Sequence, residues 1–398
     1  KLKRKNLDAI ILNSLKDKGA GFATDTNKIT FIDKAMNEQS FELKSKVEVA
    51  KDIMNKIRLA IIGMGRMGIT HFSIINSHPN IKIVSIVDPS NVVLTMMKKY
   101  LPVSTYKDYN ILFKTKPPDA ILVCTPPNLN EPIIKRAAEL GIHVFAEKPF
   151  TTKLEDAQKL NRLFIENNLV NQVGYVNRFN DVFRKCRDFL RIGLIGDIIR
   201  FKSEMFSCTI TREDKTSGWR SSRESGGGAV YEMAAHAIDL VNYLIGKPHK
   251  VIGSTLSKIY SSNVEDALTS TLLYPNGVSG TLDVNWSDTS YRKPTNKIEV
   301  FGKKGKILAD QHSLKIFLNE SNNEYHLTKG WNTLYITDLF EAVPFYVRGN
   351  EFTTQLYHFV ECIKDNNLER ICSFQDGTDV LEVIESIFKD QDKNGKVS

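Results

Sequence analysis

The pattern of hydrophobic and polar positions along this 398-residue chain changes twice. Residues 1–56 are polar and lysine-rich with short amphipathic pieces such as VEVAKDIMNKI, and we interpret them as a separate extension of unknown role. From residue 57 to about residue 178, apolar stretches such as IRLAIIG and AILVCTPP alternate with segments of helical spacing. Buried strands that alternate with helices of about 10–15 residues are typical of a doubly wound parallel sheet, the Rossmann type of α/β fold.

The pattern of apolar and polar residues changes again after about residue 195. VSGTLDVNW and NKIEVFGKKGKI alternate apolar and polar residues between glycine-containing turns, a pattern that predicts strands of a largely antiparallel sheet with one covered face. Two helices are predicted over FTTQLYHFVECIKDN and DGTDVLEVIESIFKD, and we expect them to pack back onto the first domain. The sequence therefore predicts a Rossmann domain over residues 57–178 and an α+β domain over residues 179–398.

Composition narrows the class of protein. Hydrophobic residues make up 41% of the chain and charged residues 25%, the profile of an ordinary globular protein. No apolar run approaches the ~20 residues that span a bilayer, and Lys16 and Lys18 interrupt an N-terminal stretch that superficially looks like a secretory signal. The net charge of +8 is spread over many lysines rather than concentrated in a stripe with aromatic residues, so we predict no nucleic-acid or membrane partner.

The five cysteines are scattered along the chain and form no CxxC pair. They predict neither a disulfide framework nor a zinc site, and we find no other cluster that would bind a metal. Cysteine usage of this kind fits a reducing compartment, so we predict a cytoplasmic location.

The segment AIIGMGRMGITH carries the first candidate chemistry. Gly63, Gly65 and Gly68 form a G-x-G-x-x-G that follows a predicted strand and opens a helix, and Asp88 ends the next strand. In this context the motif predicts a dinucleotide site. Gly63 permits the tight turn, Gly65 lets the backbone approach a pyrophosphate at the helix N-terminus, and Gly68 lets the helix pack close to the strand. Asp88 would bind the adenosine ribose hydroxyls and repel a ribose phosphate, so we predict NAD rather than NADP.

Two further strand ends, CTPPNLN and AEKPF, are unusual. In open α/β sheets the ligand lies beyond the carboxyl ends of the strands, where consecutive prolines also end a ladder. Lys148, at the second end, is a candidate proton-transfer group because burial and the positive nicotinamide ring would lower its pKa. The predicted cofactor contacts are Gly63, Gly65, Arg66, Met67, Gly68, Asp88, Thr125, Pro126, Asn128, Glu147 and Lys148.

The segment GGGAVYEMAAHAIDL, beginning at Gly226, places three glycines directly before three titratable residues. If a helix begins at about Val230, Glu232 and His236 lie on one face at i and i+4. The glycines would let the backbone approach a ligand. His236 is then the candidate general base, since its pKa lies near working pH. Glu232 would orient or charge-stabilise the imidazole, or bind a neighbouring hydroxyl, and Asp239 would be structural, bonding nearby backbone.

Taken in order, GMGRMG, Asp88, TPPN, EKP, GYVNRF and GGGxxxExxxHxxD resemble the glucose–fructose oxidoreductase and inositol dehydrogenase family over roughly residues 57–390. The resemblance implies a Rossmann domain followed by an α/β domain with a large, open, mixed sheet. It implies that this sheet packs against a second subunit, which predicts a homo-oligomer, a dimer or a tetramer. It also implies that Lys148 contacts nicotinamide and substrate, and that the Lys148–Pro149 peptide bond is cis.

The chain departs from the family pattern at two positions. Family members that oxidise sugars or cyclitols usually have Asp where Glu232 stands, so the carboxylate here is one methylene longer. The TPP motif is commonly followed by His where Asn130 stands, and Asn before Glu-Pro predicts a helix N-cap. These departures bear on the choice of substrate more than on the hydride chemistry.

The substrate pocket is predicted around the ends of these motifs. Tyr175, Asn177 and Arg178 leave the last Rossmann strand, and Trp219 and Arg220 precede the glycines. Arginine and tryptophan suit a carbohydrate face together with an anionic group. The predicted substrate contacts are Lys148, Tyr175, Asn177, Arg178, Trp219, Arg220, Glu232 and His236, and the predicted catalytic residues are Lys148, His236 and Glu232.

Two classes of function follow from these residues. The first is an NAD-dependent dehydrogenase acting on a secondary hydroxyl of a sugar, cyclitol or nucleotide-linked sugar, with the Lys148–His236 pair favouring hydroxyl–carbonyl chemistry over imine or tetrapyrrole reduction. The second is a non-catalytic NAD(P)-binding sensor or assembly protein, which the unmatched residues 1–56 keep open. Fold alone does not fix the substrate.

Overall fold

The computed structural model describes residues 9–13, 25–33, 38–46, 56–213 and 218–394. The chain divides into two compact units, Lys1–Arg58 with Pro79–Lys82 and Leu59–His78 with Ile83–Ser398. Most of VEVAKDIMNKI, predicted to be amphipathic, lies outside the described residues.

The N-terminal unit contains short antiparallel strands. The central pairing joins two apolar-rich strands, and a third strand extends the same sheet. A separate two-stranded antiparallel ladder joins Thr26–Asn27 to Lys44–Ser45. The strands are β1 (Ala9–Asn13), β2 (Thr26–Asn27), β3 (Ile29–Asp33), β4 (Glu38–Ser40) and β5 (Lys44–Ser45), with the order β1-β3-β4 in the larger sheet.

A six-stranded sheet forms the Rossmann core. Its strands are β6 (Ile57–Ile62), β7 (Ile81–Val87), β8 (Ser104–Tyr106), β9 (Ala120–Val123), β10 (His143–Ala146) and β11 (Asn171–Val173), in the order β11-β10-β9-β6-β7-β8. Neighbours β6 and β9, β9 and β10, β10 and β11, and β7 and β8 run parallel. The predicted parallel, doubly wound sheet is confirmed. Every residue of β9 is buried because helices cover both faces of a parallel sheet.

The helices of this domain connect successive strands. They are α1 (Arg66–Ile75), α2 (Asn91–Tyr100), α3 (Tyr109–Thr115), α4 (Asn130–Glu139) and α5 (Leu154–Glu166). Such crossovers bring the carboxyl ends of the strands to one edge of the sheet, where the glycine loop and Lys148 both lie.

The C-terminal sheet has eight strands. They are β12 (Ile198–Phe206), β13 (Lys250–Ser257), β14 (Ala267–Leu273), β15 (Ser279–Asn285), β16 (Thr295–Gly302), β17 (Gly305–Ala309), β18 (Ser313–Leu318) and β19 (Gly330–Tyr335), in the order β13-β14-β15-β12-β16-β17-β18-β19. β12 runs parallel to β15, and the other neighbours are antiparallel, which confirms the mixed sheet. Alternate residues of β14 and β15 are buried, so one face is covered.

The helices of this part of the chain pack on that sheet or on the Rossmann domain. They are α6 (Asp181–Arg191), α7 (Ala235–Leu244), α8 (Ile336–Leu339), α9 (Asn350–Lys364) and α10 (Phe374–Asn394). The two long C-terminal helices pack on the first domain as predicted: the Phe374 ring stacks on Phe150 at 4.5 Å, and Gln172 Nε2 donates to the Gln355 carbonyl at 2.8 Å. Within the described residues, no helix is long and apolar enough to cross a membrane.

Candidate active site

The glycine loop between β6 and α1 is built as the motif predicts. Gly63 has a φ of +91°, which favours glycine. A Cβ on Gly68 would fall 2.0 Å from the Gly63 carbonyl oxygen, so only glycine lets the helix lie this close to the strand. The carboxylate of Asp88 braces the loop, because it accepts from the Met64 N–H at 2.8 Å. That brace was not predicted, and a sequence carries no signal for it.

The loop fits a dinucleotide. A Cβ built on Gly65 would meet no described atom within 4 Å, so this glycine borders open space rather than a neighbouring element. The first N–H groups of α1 have no carbonyl partner within the helix and lie at its positive end. Asp88 also accepts from the Ser90 N–H at 2.8 Å, yet each carboxylate oxygen keeps a second lone pair for a ribose hydroxyl.

The TPPN turn after β9 differs from its prediction. Pro127–Leu129 forms a 3₁₀ turn that leads directly into α4, so Leu129 is the N-cap and Asn130 is already helical, with a φ of −76°. The predicted N-cap role of Asn130 is therefore wrong. Its buried side chain instead accepts from the Thr125 hydroxyl at 2.6 Å and fixes the turn. Pro126 lies in the same turn, and Asn128 is exposed.

Lys148 follows β10 and reaches across to the other domain. Its Nζ donates to the backbone carbonyl of Glu232 at 2.7 Å, and the Lys148–Pro149 peptide bond is cis, as the resemblance implies. Burial lowers the pKa of Lys148, and the carboxylates of Glu232 and Glu147 oppose that shift. A partly desolvated ammonium is thus held at the edge of the sheet where the strands have their carboxyl ends and where the cofactor would bind.

The segment after the three glycines begins with a π-helical turn rather than a regular α-helix. This turn covers Val230–Ala234 and leads into α7. Both carboxylate oxygens of Glu232 accept from Arg220 Nε, at 2.7 and 3.0 Å. His236 Nδ1 has no hydrogen-bond partner in the described parts of the chain. The structure shows no bond from Glu232 to Nδ1 of the imidazole, and both carboxylate oxygens accept from Arg220 instead. The other predicted roles of Glu232, charge stabilisation of the imidazole and binding of a neighbouring hydroxyl, stay predictions.

His236 stands at the start of α7 with its ring against Tyr175. The two ring centroids are 6.0 Å apart in an edge-to-face arrangement. Burial, assisted by the nearby charge of Lys148, lowers the pKa of His236 well below its ordinary value. The imidazole is consequently neutral at neutral pH and can accept a proton. The Tyr175 hydroxyl also lacks a partner among the residues described, although the side chain is buried.

Arg178 was predicted to line the substrate pocket, but its side chain is buried elsewhere. Its side chain is 5% exposed, and its guanidinium donates to Asp239 at 2.8 and 2.9 Å and to Asp376 at 2.8 Å. Asp239 is structural, as predicted, but its partner is this guanidinium rather than nearby backbone. A buried arginine with this many partners clamps α7 to α10. Asn177 is buried in the same short turn.

The glycines shape the turn that carries Arg220. A Cβ on Gly227 would fall 2.2 Å from the Arg220 carbonyl oxygen, and the Gly228 N–H donates to that oxygen at 3.1 Å. The Arg220 guanidinium lies 4.6 Å from the centroid of the Trp219 ring. Trp219 therefore lies beside Arg220, in a 3₁₀ turn over Trp219–Ser221.

Two acidic residues of the site make contacts that were not predicted. Glu265 was not predicted: its buried carboxylate accepts from the Val230 N–H at 3.0 Å and so holds the start of the π turn. The carboxylate of Glu147 is bonded to His71 of α1, and its predicted contact with the cofactor stays a prediction. The sequence offered one indication of this pair, a histidine about one helical turn after the last glycine of the motif.

Comparisons with known proteins agree with this geometry. The model described as "Oxidoreductase family, NAD-binding Rossmann fold" matches residues 57–175, and the "GFO/IDH/MocA C-terminal domain" model matches residues 183–308. The chain belongs to the GFO/IDH/MocA oxidoreductase family. The predicted family, enzyme class and NAD cofactor are thereby confirmed. Residues 1–60 match a different model, the "DNA/pantothenate metabolism flavoprotein C-terminal domain".

Relatives of this GFO/IDH/MocA chain include two inositol dehydrogenases. The scyllo-inositol 2-dehydrogenase (NAD(+)) of Bacillus subtilis is 26% identical over 83% of this chain and 92% of its own length. The myo-inositol 2-dehydrogenase of Thermotoga maritima is 26% identical over 80% of this chain and 87% of its own length. Levoglucosan dehydrogenase in complex with NADH and levoglucosan superposes with a TM-score of 0.74 at 19% identity, over 85% of this chain and 97% of that one. This last similarity shows the fold.

Proposed function

We propose that the protein exchanges a hydride between NAD and a secondary hydroxyl or carbonyl of a sugar, cyclitol or nucleotide-linked sugar. The observation that carries the proposal is the bond from Lys148 Nζ to the Glu232 carbonyl, which brings the strand end beside the glycine loop to the turn that leads to His236. Two elements from different domains thus meet where the substrate hydroxyl would lie. The inositol dehydrogenases among the relatives support the substrate class.

The side chains have distinct roles in this proposal. His236, neutral because its pKa is lowered, accepts the proton from the substrate hydroxyl. Lys148 donates a hydrogen bond to the same oxygen and stabilises the negative charge that develops on it. NAD, when bound, supplies the hydride acceptor. Positioned acid–base groups of this kind contribute roughly 10²–10⁴-fold to a rate.

Of the roles predicted for Glu232, binding a neighbouring hydroxyl fits its contacts better than orienting the imidazole. Arg220 takes both of its carboxylate oxygens, so the pair presents one guanidinium edge and a neutralised carboxylate to the pocket. Hydrogen-bonding groups with little net charge suit the hydroxyls of a neutral polyol. Trp219, beside Arg220, would contact the apolar face of a ring.

The choice of cofactor rests on Asp88. Its carboxylate is fixed by two backbone N–H groups at the end of β7, where a 2′-phosphate would meet a negative charge. We therefore expect NAD to be preferred over NADP.

Assembly and compartment complete the proposal. One face of the eight-stranded sheet is covered by helices, and the other carries half-exposed and exposed residues such as Trp331, Phe301 and Ile199. The proposed assembly is a homo-oligomer that pairs through this face, in the cytoplasm.

The test is turnover followed by nicotinamide absorbance with NAD and a panel of cyclitols, free sugars, sugar acids and nucleotide sugars. Lys148→Ala and His236→Ala should each lower kcat by about 10²–10⁴-fold while NADH affinity, measured by fluorescence, stays near the wild-type value. Matched controls are Lys153→Ala and His312→Ala, which remove exposed side chains of the same types and should leave kcat unchanged.

The alternative, an NAD-binding sensor, makes the opposite prediction. It requires that NADH binds tightly, that no panel member is turned over in either direction, and that both substitutions leave ligand binding unchanged. Turnover of one substrate class that is lost in both variants excludes it.

A further inference from the structure

A bond between His71 and Glu147 joins the helix that follows the glycine loop to the strand end that carries Lys148. His71 Nε2 and Glu147 Oε1 are 2.5 Å apart, although the residues are far apart in sequence. His71 lies on α1, whose N-terminus would bind the pyrophosphate, and Glu147 directly precedes Lys148. The His71 side chain is fully buried and that of Glu147 is 15% exposed.

The surroundings are shaped around this bond. A Cβ on Gly174 would lie 3.1–3.2 Å from all three atoms of the Glu147 carboxyl group, so a glycine there leaves the carboxylate its space. The other carboxylate oxygen accepts from the Lys148 N–H at 3.3 Å. The Phe145 ring packs edge-on against His71 with centroids 5.2 Å apart. The carboxylate is thus held on the His71 side and also bonded to the backbone of Lys148.

Burying a carboxylate against an imidazole is a weak source of stability, because desolvation offsets much of the attraction. A buried polar bond of this kind serves better to select one arrangement of the elements that it joins. Here those elements are the pyrophosphate helix and the Lys148 turn. Displacing a reacting group by about 1 Å can cost roughly 10²-fold in rate.

We propose that His71 and Glu147 are positioning residues whose bond fixes the Lys148 turn to the pyrophosphate-binding helix, so that NAD binding and the placement of the Lys148 ammonium are coupled. The inference rests on the proposed function, because it assigns Lys148 a role in turnover. Glu147 also acts on Lys148 through its charge. The groups that face Lys148 are Glu147, Glu232, Arg220, Arg66 and His236, from five different segments.

Two substitutions separate the bond from the charge. His71→Leu removes the donor and leaves the carboxylate, whereas Glu147→Gln keeps a side chain of the same shape and removes the negative charge. His71→Gln is the conservative variant, since its amide N–H can replace Nε2–H. The matched control is Asn161→Leu, which removes a part-buried side-chain bond of 2.7 Å to Gln375 that involves neither His71 nor Glu147.

The first measurement is NADH affinity. His71→Leu should raise the Kd by about 10-fold, equivalent to about 1.4 kcal/mol, whereas His71→Gln should stay within about twofold of wild type. Asn161→Leu should lose thermal stability without a change in Kd. Wild-type affinity in His71→Leu overturns the coupling.

The second measurement is the rate of Lys148 acetylation against pH, followed by mass spectrometry, which needs no turnover. Only the neutral amine reacts. Because Glu147 raises the Lys148 pKa, its neutralisation should move the midpoint to lower pH. Superimposed profiles for wild type and Glu147→Gln contradict the proposed action of the charge.

Turnover is the third measurement. The kcat of His71→Leu should fall by about 10–10²-fold, with recovery in His71→Gln; an unchanged kcat overturns the positioning role. If the wild-type protein turns over no substrate, the proposed function fails on its own, while affinity and acetylation still decide whether the bond couples the two segments.

Discussion

Two glycine-rich stretches precede helices in this protein, one beginning at Gly63 and the other at Gly226, and the surroundings of their glycines differ. In the first, Gly65 borders open space, because a Cβ there would meet no described atom within 4 Å. In the second, Gly227 and Gly228 lie against their own chain, with Cβ positions 2.2 Å from the Arg220 carbonyl oxygen and 2.3 Å from the Glu265 carboxylate. The first stretch leaves space for a ligand, and the second leaves space for the parts of the active site.

The difference shows why glycines alone do not identify a binding loop. Both stretches follow the rule that glycine permits close approach of the backbone. Only the surroundings tell whether the approaching group is a cofactor or another segment of the protein. The first stretch should therefore control NADH affinity, and the second should control stability and the chemical step.

The largest effect on stability is expected from a substitution in the second stretch. Gly228→Ala places a side chain at a φ of +98° and into the Glu265 carboxylate that holds the π turn. We expect the free energy of unfolding to fall by about 2–4 kcal/mol, measured by denaturant titration, together with loss of turnover. A variant as stable as wild type would show that the π turn does not depend on this packing.

Gly65→Ala should give the converse result. Gly65 has an ordinary φ of −67° and free space at its Cβ, so the free energy of unfolding should change by no more than about 0.5 kcal/mol. The added methyl group would occupy the space into which the pyrophosphate fits, so the Kd for NADH should rise by about 10-fold or more. Unchanged affinity in a titration would mean that the cofactor does not approach this glycine.

A smaller effect is expected at the carboxylate that the second stretch brings into the site. Glu232→Asp shortens the side chain by one methylene, so the bond that Arg220 Nε donates to both carboxylate oxygens should be lost. The backbone bond from Lys148 should remain, since it uses the Glu232 carbonyl. We expect KM for the substrate to change by about 3–10-fold, the effect of one charge-assisted bond partly replaced by water, with kcat nearly unchanged. A fall in kcat of the size expected for His236→Ala would instead make Glu232 part of the proton transfer.

The pH dependence distinguishes the two stretches without any substitution. The His236 pKa lies below its ordinary value, so the imidazole remains a base as pH falls through 6.5 and is protonated only further down. The acid limb of kcat/KM should therefore lie below pH 6.5, whereas NADH affinity, which depends on the first stretch, should be flat there. A limb at or above pH 6.5 would indicate that His236 is solvated or is not the base.

Local rules predicted the elements better than their partners. The continuous apolar run of β9 and the position of Gly63 predict a strand and a turn correctly, because both depend on neighbours in sequence. The π turn depends on Glu265, which lies farther along the chain, and the Arg220–Glu232 bond depends on how the glycines fold the preceding turn back. Arg178 shows the same limit: its motif placed it near the cleft, and two distant carboxylates buried it.

The bond between Lys148 and the Glu232 carbonyl has a consequence for how such a site can change. A π turn interrupts the regular i→i+4 ladder, and here a backbone oxygen in that turn, not a side chain, receives the ammonium. Every amino acid at position 232 offers the same oxygen. The side chain at this position is therefore free to diversify between relatives with different substrates, or in a directed-evolution library, while the lysine keeps its anchor.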